Sequence, residues 1–578
     1  MRALRKSFLA FITVLVPLVA GAQEFMRSTA EPGQRGGRLT IALAAEPKTL
    51  NPVSALDQPS RAVFRRMIAD LIHINRYTQK TEPALAKSWS ASRDGKQFTL
   101  QLRRGIRFSD GVGFDADDVV FSFKVYLDEK VHSPQRDLLL ISGKPMMVEK
   151  LDAYTVRFIF PAPYAAAERV FDSVAIMPRH LLEKDYQAGA ILQAWNLNTP
   201  PEKIAGLGPF RLKKFIPGDR IILERNPYYW KTDSKEQQLP YLDELTFLAV
   251  PTQDAQVIRF QAGDTQVINT LSAENFAALS RDQETRGYKL FDIGPGLEFN
   301  FMFFNLNDDI QGKLPEVTRK QKWFNDVRFR QAVSAALDRD AIVRLIYHGR
   351  GVPLATLVTP GDKLWIDHSI PAVQRSVAEA KQYLKQAGFS WKSDGKLADS
   401  SGQPVEFTIL VSSSNPQRVE MATLVQDDLK QLGMKVNVVS MEFRAAFDRI
   451  LTSHDFEAAL MGIGGGDTDP NSEMSLLTSN GQTHVWHMGE TKPATPWEAE
   501  IDQLMQKQLV TMDYAKRKKQ YDRVQQIIVQ QLPLVPLASP NILVGAKNNL
   551  GNFRPAILDH YTLWNVEELF WRGPAEKK

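Results

Sequence analysis

The run Phe299-Asn300-Phe301-Met302-Phe303-Phe304-Asn305 sets large apolar side chains at successive positions. Successive residues of a strand point to opposite faces, so this strand has no face to offer to water and must lie in a sheet covered on both sides. That requirement selects an α/β architecture, with helices as the covering layers. The second half of the chain supplies them. Helices are predicted over 326–336 and 338–347, the second ending at Gly349. Ser376 and Glu379 stand at capping-box spacing around Val377, Ala380 and Leu384, and Gly388 closes that helix. A strand over 407–411, a helix over 418–432 ending at Gly433 and a strand over 436–439 make a βαβ unit, hence a parallel pair with a right-handed crossover. Two further helices are predicted over 497–509 and 514–531, before Leu532-Pro533-Leu534-Val535-Pro536-Leu537 leads the chain away. Lys516-Arg517-Lys518-Lys519 within the last helix reads as a solvated face.

The first half is richer in strands. Residues 38–43 alternate, and residues 98–102 alternate into a turn at Arg103-Arg104-Gly105, after which Ile106 and Phe108 predict the return strand of a hairpin. Asp115-Ala116-Asp117-Asp118 opens a helix with Val119, Val120, Phe123 and Leu127 on its apolar face; carboxylates in a first turn are capping and dipole chemistry before they are catalytic. A strand pair surrounds Pro217-Gly218-Asp219 and closes in Asn226-Pro227-Tyr228-Tyr229-Trp230, whose aromatic trio reads as a plug at the base of a sheet.

At 578 residues, 24% charged and 43% hydrophobic, the chain is too long for one core, so two or more domains are expected. Residues 1–22 read as a secretory signal: Arg2, Arg5 and Lys6, an apolar stretch from Phe8 to Val19 broken by Pro17, then Ala20-Gly21-Ala22. Its loss removes three positive charges from the formal +5 and leaves +2, too little for a charge-driven nucleic-acid binder. Residues 23–35 are polar and breaker-rich, and are expected to be a flexible mature N-terminus. The chain has no cysteine, which excludes disulfides, thiol nucleophiles, iron–sulfur clusters and a lipid-accepting cysteine after the signal. A soluble periplasmic protein, not a lipoprotein, is the expectation.

Catalytic patterns fail in turn. There is no HExxH, no GxSxG and no Walker loop, and Gly464-Gly465-Gly466 is followed by no GK[ST]. His484 and His487 flank Trp486 at i, i+3 but lack a third ligand in sequence reach, so they read as packed histidines. No enzyme activity, metal or cofactor is expected.

Several stretches, in order, resemble the family 5 extracellular solute-binding proteins, the peptide- and nickel-binding class that serves ABC importers. They are Leu85-Ala86-Lys87-Ser88-Trp89 through Asp94-Gly95-Lys96; 102–111; Asp117-Asp118-Val119-Val120-Phe121-Ser122-Phe123; Gly208-Pro209-Phe210; Glu224-Arg225 with the aromatic plug; Pro240-Tyr241-Leu242-Asp243; Gln261-Ala262-Gly263-Asp264; 325–332 with Leu337-Asp338-Arg339; 380–389; and 532–537. The resemblance implies a two-lobed periplasmic-binding-protein-like fold with mixed sheets flanked by helices and a hinge. Lobe I would comprise 36–75, 206–298 and 538–575, an extra subdomain 76–205, and lobe II 299–537. It implies a monomeric receptor that captures a peptide or peptide-like ligand between its lobes for an inner-membrane ABC permease; a nickel chelate, haem, oligosaccharide or opine are alternatives within the class, and a secreted hydrolase is the alternative outside it. Peptide-binding relatives set an aspartate against the ligand's ammonium, which maps here to the loop Gly464-Gly465-Gly466-Asp467-Thr468-Asp469-Pro470. Asp467 or Asp469 would take that role, since a desolvated ammonium requires a carboxylate partner. An Asx-turn is the competing role for an aspartate before proline. Gly465 and Gly466 would admit the ligand backbone, and Asn300, Phe301 and Trp486 would be pocket walls.

Overall fold

The run that is apolar on both faces is a strand, Phe299–Phe304, with every residue buried. It sends Phe299, Phe301 and Phe303 into one hydrophobic core and Met302 and Phe304 into another on the opposite face. Fully burying each phenylalanine contributes about 1.5–3 kcal/mol, so this one strand anchors two layers at once. It belongs to a five-stranded mixed sheet in the order Lys435–Met441, Glu406–Ser412, Ala458–Ile463, Phe299–Phe304, Leu534–Pro536. Glu406–Ser412 is parallel to both its neighbours, and the crossover to Lys435–Met441 runs through the helix Pro416–Lys430, which is the expected βαβ unit.

The computed structural model describes residues 23–573 except 56, 142, 309, 311, 312, 465, 466, 559 and 560. The expected signal, 1–22, lies outside the described residues, as do Gly465 and Gly466.

A second mixed sheet runs Phe210–Ile216, Arg220–Arg225, Glu244–Ala249, Arg38–Leu43, Val267–Ile268, Ala538–Lys547, Tyr288–Pro295, with Gly351–Pro353 also paired to Ala538–Lys547. The chain passes from this sheet to the five-stranded one between Pro295 and Phe299, and returns at Leu537, between Leu534–Pro536 and Ala538–Lys547. Leu537 N donates to Asn300 O at 2.8 Å, so the two crossings are stitched side by side. The result is two lobes joined by two adjacent strands, a geometry that permits hinge rotation at few residues.

A third, antiparallel sheet runs Ala86–Ala91, Gln97–Leu102, Thr155–Ile159, Met147–Asp152. Here the predicted hairpin is corrected. Gln97–Leu102 pairs with Ala86–Ala91 and Thr155–Ile159, whereas Arg107 makes only an isolated bridge to Gly113. Ile106 and Phe108 alternate because both are buried, with Phe108 N bonded to Val112 O and Phe114 N to Ile106 O inside one tight loop. Alternation reported burial there, and strand pairing did not follow from it. The helix Ala116–Leu127 opens on a capping box in which Asp118 accepts the Asp115 N–H at 3.1 Å. Asp118 also accepts the Arg179 N–H at 3.0 Å, and burial pushes its pKa up to about 6. Of the aromatic plug, Tyr229 and Trp230 are buried while Tyr228 is exposed.

Residues 23–35 differ from the expected tail. Met26–Arg27 pairs in parallel with Lys231–Thr232, Ala30 is buried, and the Glu24 N–H donates to Arg104 O at 3.0 Å. The polar composition of the segment serves bonds to neighbouring chain.

Candidate functional site

At the junction of the lobes lies a cavity of about 120 Å³, with apolar walls from Leu297, Phe299, Leu357, Val358, Ile463 and Leu476 and carboxylates from Asp362, Asp467 and Glu473. Three different connections deliver them: the turn Thr359-Pro360-Gly361-Asp362, the loop after Ala458–Ile463, and the short 3-10 turn Pro470–Glu473.

Asp467 is already engaged. Arg169, on the helix Ala167–Ser173, sets its Nε 2.8 and 2.7 Å from the two carboxylate oxygens, adds an Nη2 contact to Oδ1, and donates from Nη2 to Thr468 Oγ1 at 2.9 Å. Burial works against the Arg169 charge, but Asp467 outweighs it and holds the guanidinium more firmly protonated than usual. Around this pair, Gln79 Nε2 donates to Gly361 O at 2.7 Å, Lys363 N donates to Gln79 Oε1 at 3.0 Å, and Asn471 Nδ2 donates to Tyr164 OH at 2.7 Å. The elements that carry Gln79, Tyr164 and Arg169 are thus bonded to the segments that bear the cavity's carboxylates.

Burial acts on the other two carboxylates. Burial pushes the Asp362 pKa up to about 8, although it accepts N–H bonds from Leu364 and Trp365. Burial pushes Glu473 up to about 7, with the Tyr521 hydroxyl donating to it. An apolar chamber lined by three carboxylates, one of them paired with a guanidinium, is suited to a cationic group.

Asp469, two residues from Asp467, does something else. It caps Pro470–Glu473 through the Asn471 N–H at 3.0 Å and takes both arms of Arg517, at 2.7 and 2.6 Å, with both side chains buried. Arg517 also donates to Gln508 Oε1 at 2.8 Å and lies 4.9 Å from the Trp365 ring centre. The basic run 516–519 therefore holds a core residue, which helix position alone hid.

Three further expectations are corrected. Asn300 is fully buried, donating to Tyr347 OH at 3.1 Å and Ala538 O at 3.2 Å and accepting from Arg418 Nε at 2.9 Å. Phe301 is stacked on Phe299 in the core, and Trp486 is fully buried with its Nε1 donating to Glu498 Oε1 at 3.1 Å. None of the three lines the cavity, although Phe299 of the same strand and Thr483 of the same segment do, because each of the three is packed into the core at its own position. Sequence reasoning missed Arg169, Asp362 and Glu473. The turn sequence Thr359-Pro360-Gly361-Asp362 is a local signal that could have pointed to Asp362, but nothing local points to Arg169, which lies 298 residues from its partner.

Residues 80–484 match the family model described as bacterial extracellular solute-binding proteins, family 5 Middle. A protein of Deinococcus radiodurans named probable ABC transporter-binding protein is 30% identical over 539 residues, covering 89% of each chain. The oligopeptide-binding protein AppA of Bacillus subtilis is 26% identical over 571 residues, covering 95% of this chain and 96% of its own. The AppA structure, solved with a nonapeptide, superposes with a TM-score of 0.67 over 94% of this chain and 100% of that one. NikZ of Campylobacter jejuni, solved with Ni(L-His), shares the fold with a TM-score of 0.69 at 21% identity, covering 93% of this chain and 100% of its own. With two lobes, a paired crossing and a cavity at their junction, and with the family model spanning most of its length, the chain belongs to the family 5 bacterial extracellular solute-binding proteins.

Proposed function

We propose that the protein is a periplasmic receptor that encloses a peptide or peptide-like ligand between its lobes and presents it to an inner-membrane ABC importer, without turning it over. The observation that carries this reading is the Asp467 carboxylate at the lobe junction, lining an apolar cavity and holding a cation, the Arg169 guanidinium. A ligand ammonium takes that place by exchange, and Arg169 is freed to swing with its lobe. Asp469 is not the anchor in this reading, since Arg517 consumes both its oxygens. Ligand contacts to both lobes favour the closed form by whatever they gain there and not in the open form, and closure is what a permease reads. The peptide-binding relatives support the ligand class. In this reading lobe I is 36–75, 206–298 and 538–575, the subdomain 76–205 and lobe II 299–537; most strands of each sheet fall within these bounds, while Gly351–Pro353 of lobe II pairs with Ala538–Lys547 of lobe I and Ile72–Ile74 pairs with Thr81–Pro83 across the subdomain boundary. The leader at 1–22, monomeric state and periplasmic address belong to the same proposal.

The test is native mass spectrometry of the protein taken from cells, then denaturation and identification of what is released. Peptides are expected. A nickel chelate, haem, a sugar or an opine moves the ligand within the class, and hydrolytic turnover of a bound peptide overturns the receptor reading.

A further inference from the structure

The fold brings two carboxylates, and not His487, to His484. The His484 ring is fully buried, and its Nδ1 lies 3.0 Å from Leu476 O, a carbonyl that can only accept. Nδ1 therefore carries the proton, and Nε2 points its lone pair away from that carbonyl. What Nε2 meets is negative: Glu498 Oε1 at 3.8 Å and Glu490 Oε2 at 3.9 Å, on side chains 2% and 3% exposed. Neither distance is a hydrogen bond. Among the described residues, neither His484 Nε2 nor Glu490 Oε2 has a hydrogen-bond partner. A lone pair and two carboxylates facing one another in the dry interior is a costly arrangement unless something positive sits between them.

The spacing has room for it. The three atoms lie within 4.8 Å of one another. A cation equidistant from atoms so spaced sits roughly 2.2–2.5 Å from each, and zinc contacts to imidazole nitrogen or carboxylate oxygen are about 2.0–2.2 Å, so a contraction of a few tenths of an ångström brings all three donors into bonding range, with a fourth position left for a water. The ligands are also held from behind, as metal ligands are. Glu498 Oε1 accepts from Trp486 Nε1, and its Oε2 accepts the Thr495 N–H at 2.9 Å and hydroxyl at 2.7 Å in a capping box. His487 Nδ1 sits 2.5 Å from Glu490 Oε1, which leaves Oε2 for the centre.

We infer that His484, Glu490 and Glu498 form a buried site for a divalent transition metal of the zinc type, with a structural role. It ties the segment 476–490, which runs out of the short helix Met474–Leu477, to the first turn of the helix Pro496–Val510. Leu476 and Thr483, which line the cavity at the lobe junction, belong to that segment, so the metal braces one wall. A second cluster, Asp70, His73 and Asp172, carries no such proposal, because the Arg76 guanidinium already fills it with a bond of 2.8 Å to Asp172.

The test uses the untagged full chain, stripped with chelator and dialysed, with zinc then added and bound metal counted by elemental analysis. One zinc per chain is expected, with a melting temperature that falls on stripping and recovers with zinc, and with visible absorption bands from Co²⁺ in the same site. Glu490→Gln, nearly isosteric, is expected to weaken zinc at least tenfold while folding; His484→Ala is expected to abolish it. A stripped wild-type protein that takes up no zinc, with an unchanged melting temperature, overturns the inference and puts a proton on Nε2 instead. Uptake that survives in both variants overturns it too, by placing the metal elsewhere.

Discussion

Two aspartates separated by one residue are assigned opposite roles, and the pair Asp467→Asn and Asp469→Asn separates them. The Asp469–Arg517 pair is bidentate with both side chains only 6% exposed. Removing one partner of such a pair strands a buried charge and costs about 3–5 kcal/mol. The Asp467–Arg169 pair is bidentate as well, but the Asp467 side chain is 33% exposed, so solvent screening brings its worth to about 1 kcal/mol. Asp469→Asn is therefore expected to lower the denaturant midpoint of the ligand-free protein strongly and to leave ligand affinity, measured on the folded fraction, within about threefold. Asp467→Asn is expected to shift the midpoint slightly and to weaken a ligand bearing a free ammonium by about 2 kcal/mol or more, some thirtyfold. The assays are urea unfolding followed by circular dichroism, and calorimetric titration with the peptide recovered from the native protein. Equal destabilisation by the two substitutions, or loss of binding in a well-folded Asp469→Asn protein, would refute the reasoning.

Arg169→Met frees Asp467 from its competitor, so affinity for a peptide with a free amine is expected to rise about tenfold in calorimetry, and affinity for the N-acetylated peptide to stay unchanged. Asp362 and Glu473 both have folded-state pKa values raised by burial, to about 8 and about 7. The folded protein thus binds more protons than the unfolded chain, and stability is expected to fall as pH rises from about 4 to 8, by up to about 1.4 kcal/mol per pH unit for each group. Thermal melts across that range in wild type and in Asp362→Asn, which should flatten the upper part of the slope, check the sign. Gly433 has φ of 81° and a Cβ there would stand 2.4 Å from Gly395 O, so Gly433→Ala is expected to destabilise lobe II by at least about 1 kcal/mol in urea unfolding.

What the sequence determined by itself is whatever depends on neighbours along the chain. The helix start capped at Asp115, the strand Phe299–Phe304 covered on both faces and the βαβ unit around Pro416–Lys430 were all legible, because cap hydrogen bonds and side-chain periodicity are local; of the capping box expected at Ser376 and Glu379, the bond from the Glu379 N–H to Ser376 is formed. The same local logic misread Ile106 and Phe108, where burial imitates a strand, and the tail 23–35, whose partners lie near Arg104 and Lys231. The site was legible only as a loop. That Asp467 faces the cavity while Asp469 turns inward, and that Arg517 leaves a solvated run to meet it, follows from how the helix Tyr514–Gln531 packs against that loop. Arg169 meets Asp467, 298 residues away, only because two adjacent strands carry the chain across and back between lobes, while Asp362 and Glu473 reach the same cavity through the folding of lobe II itself. Contacts over hundreds of residues are fixed by sheet order and lobe closure, and no spacing in the sequence encodes them.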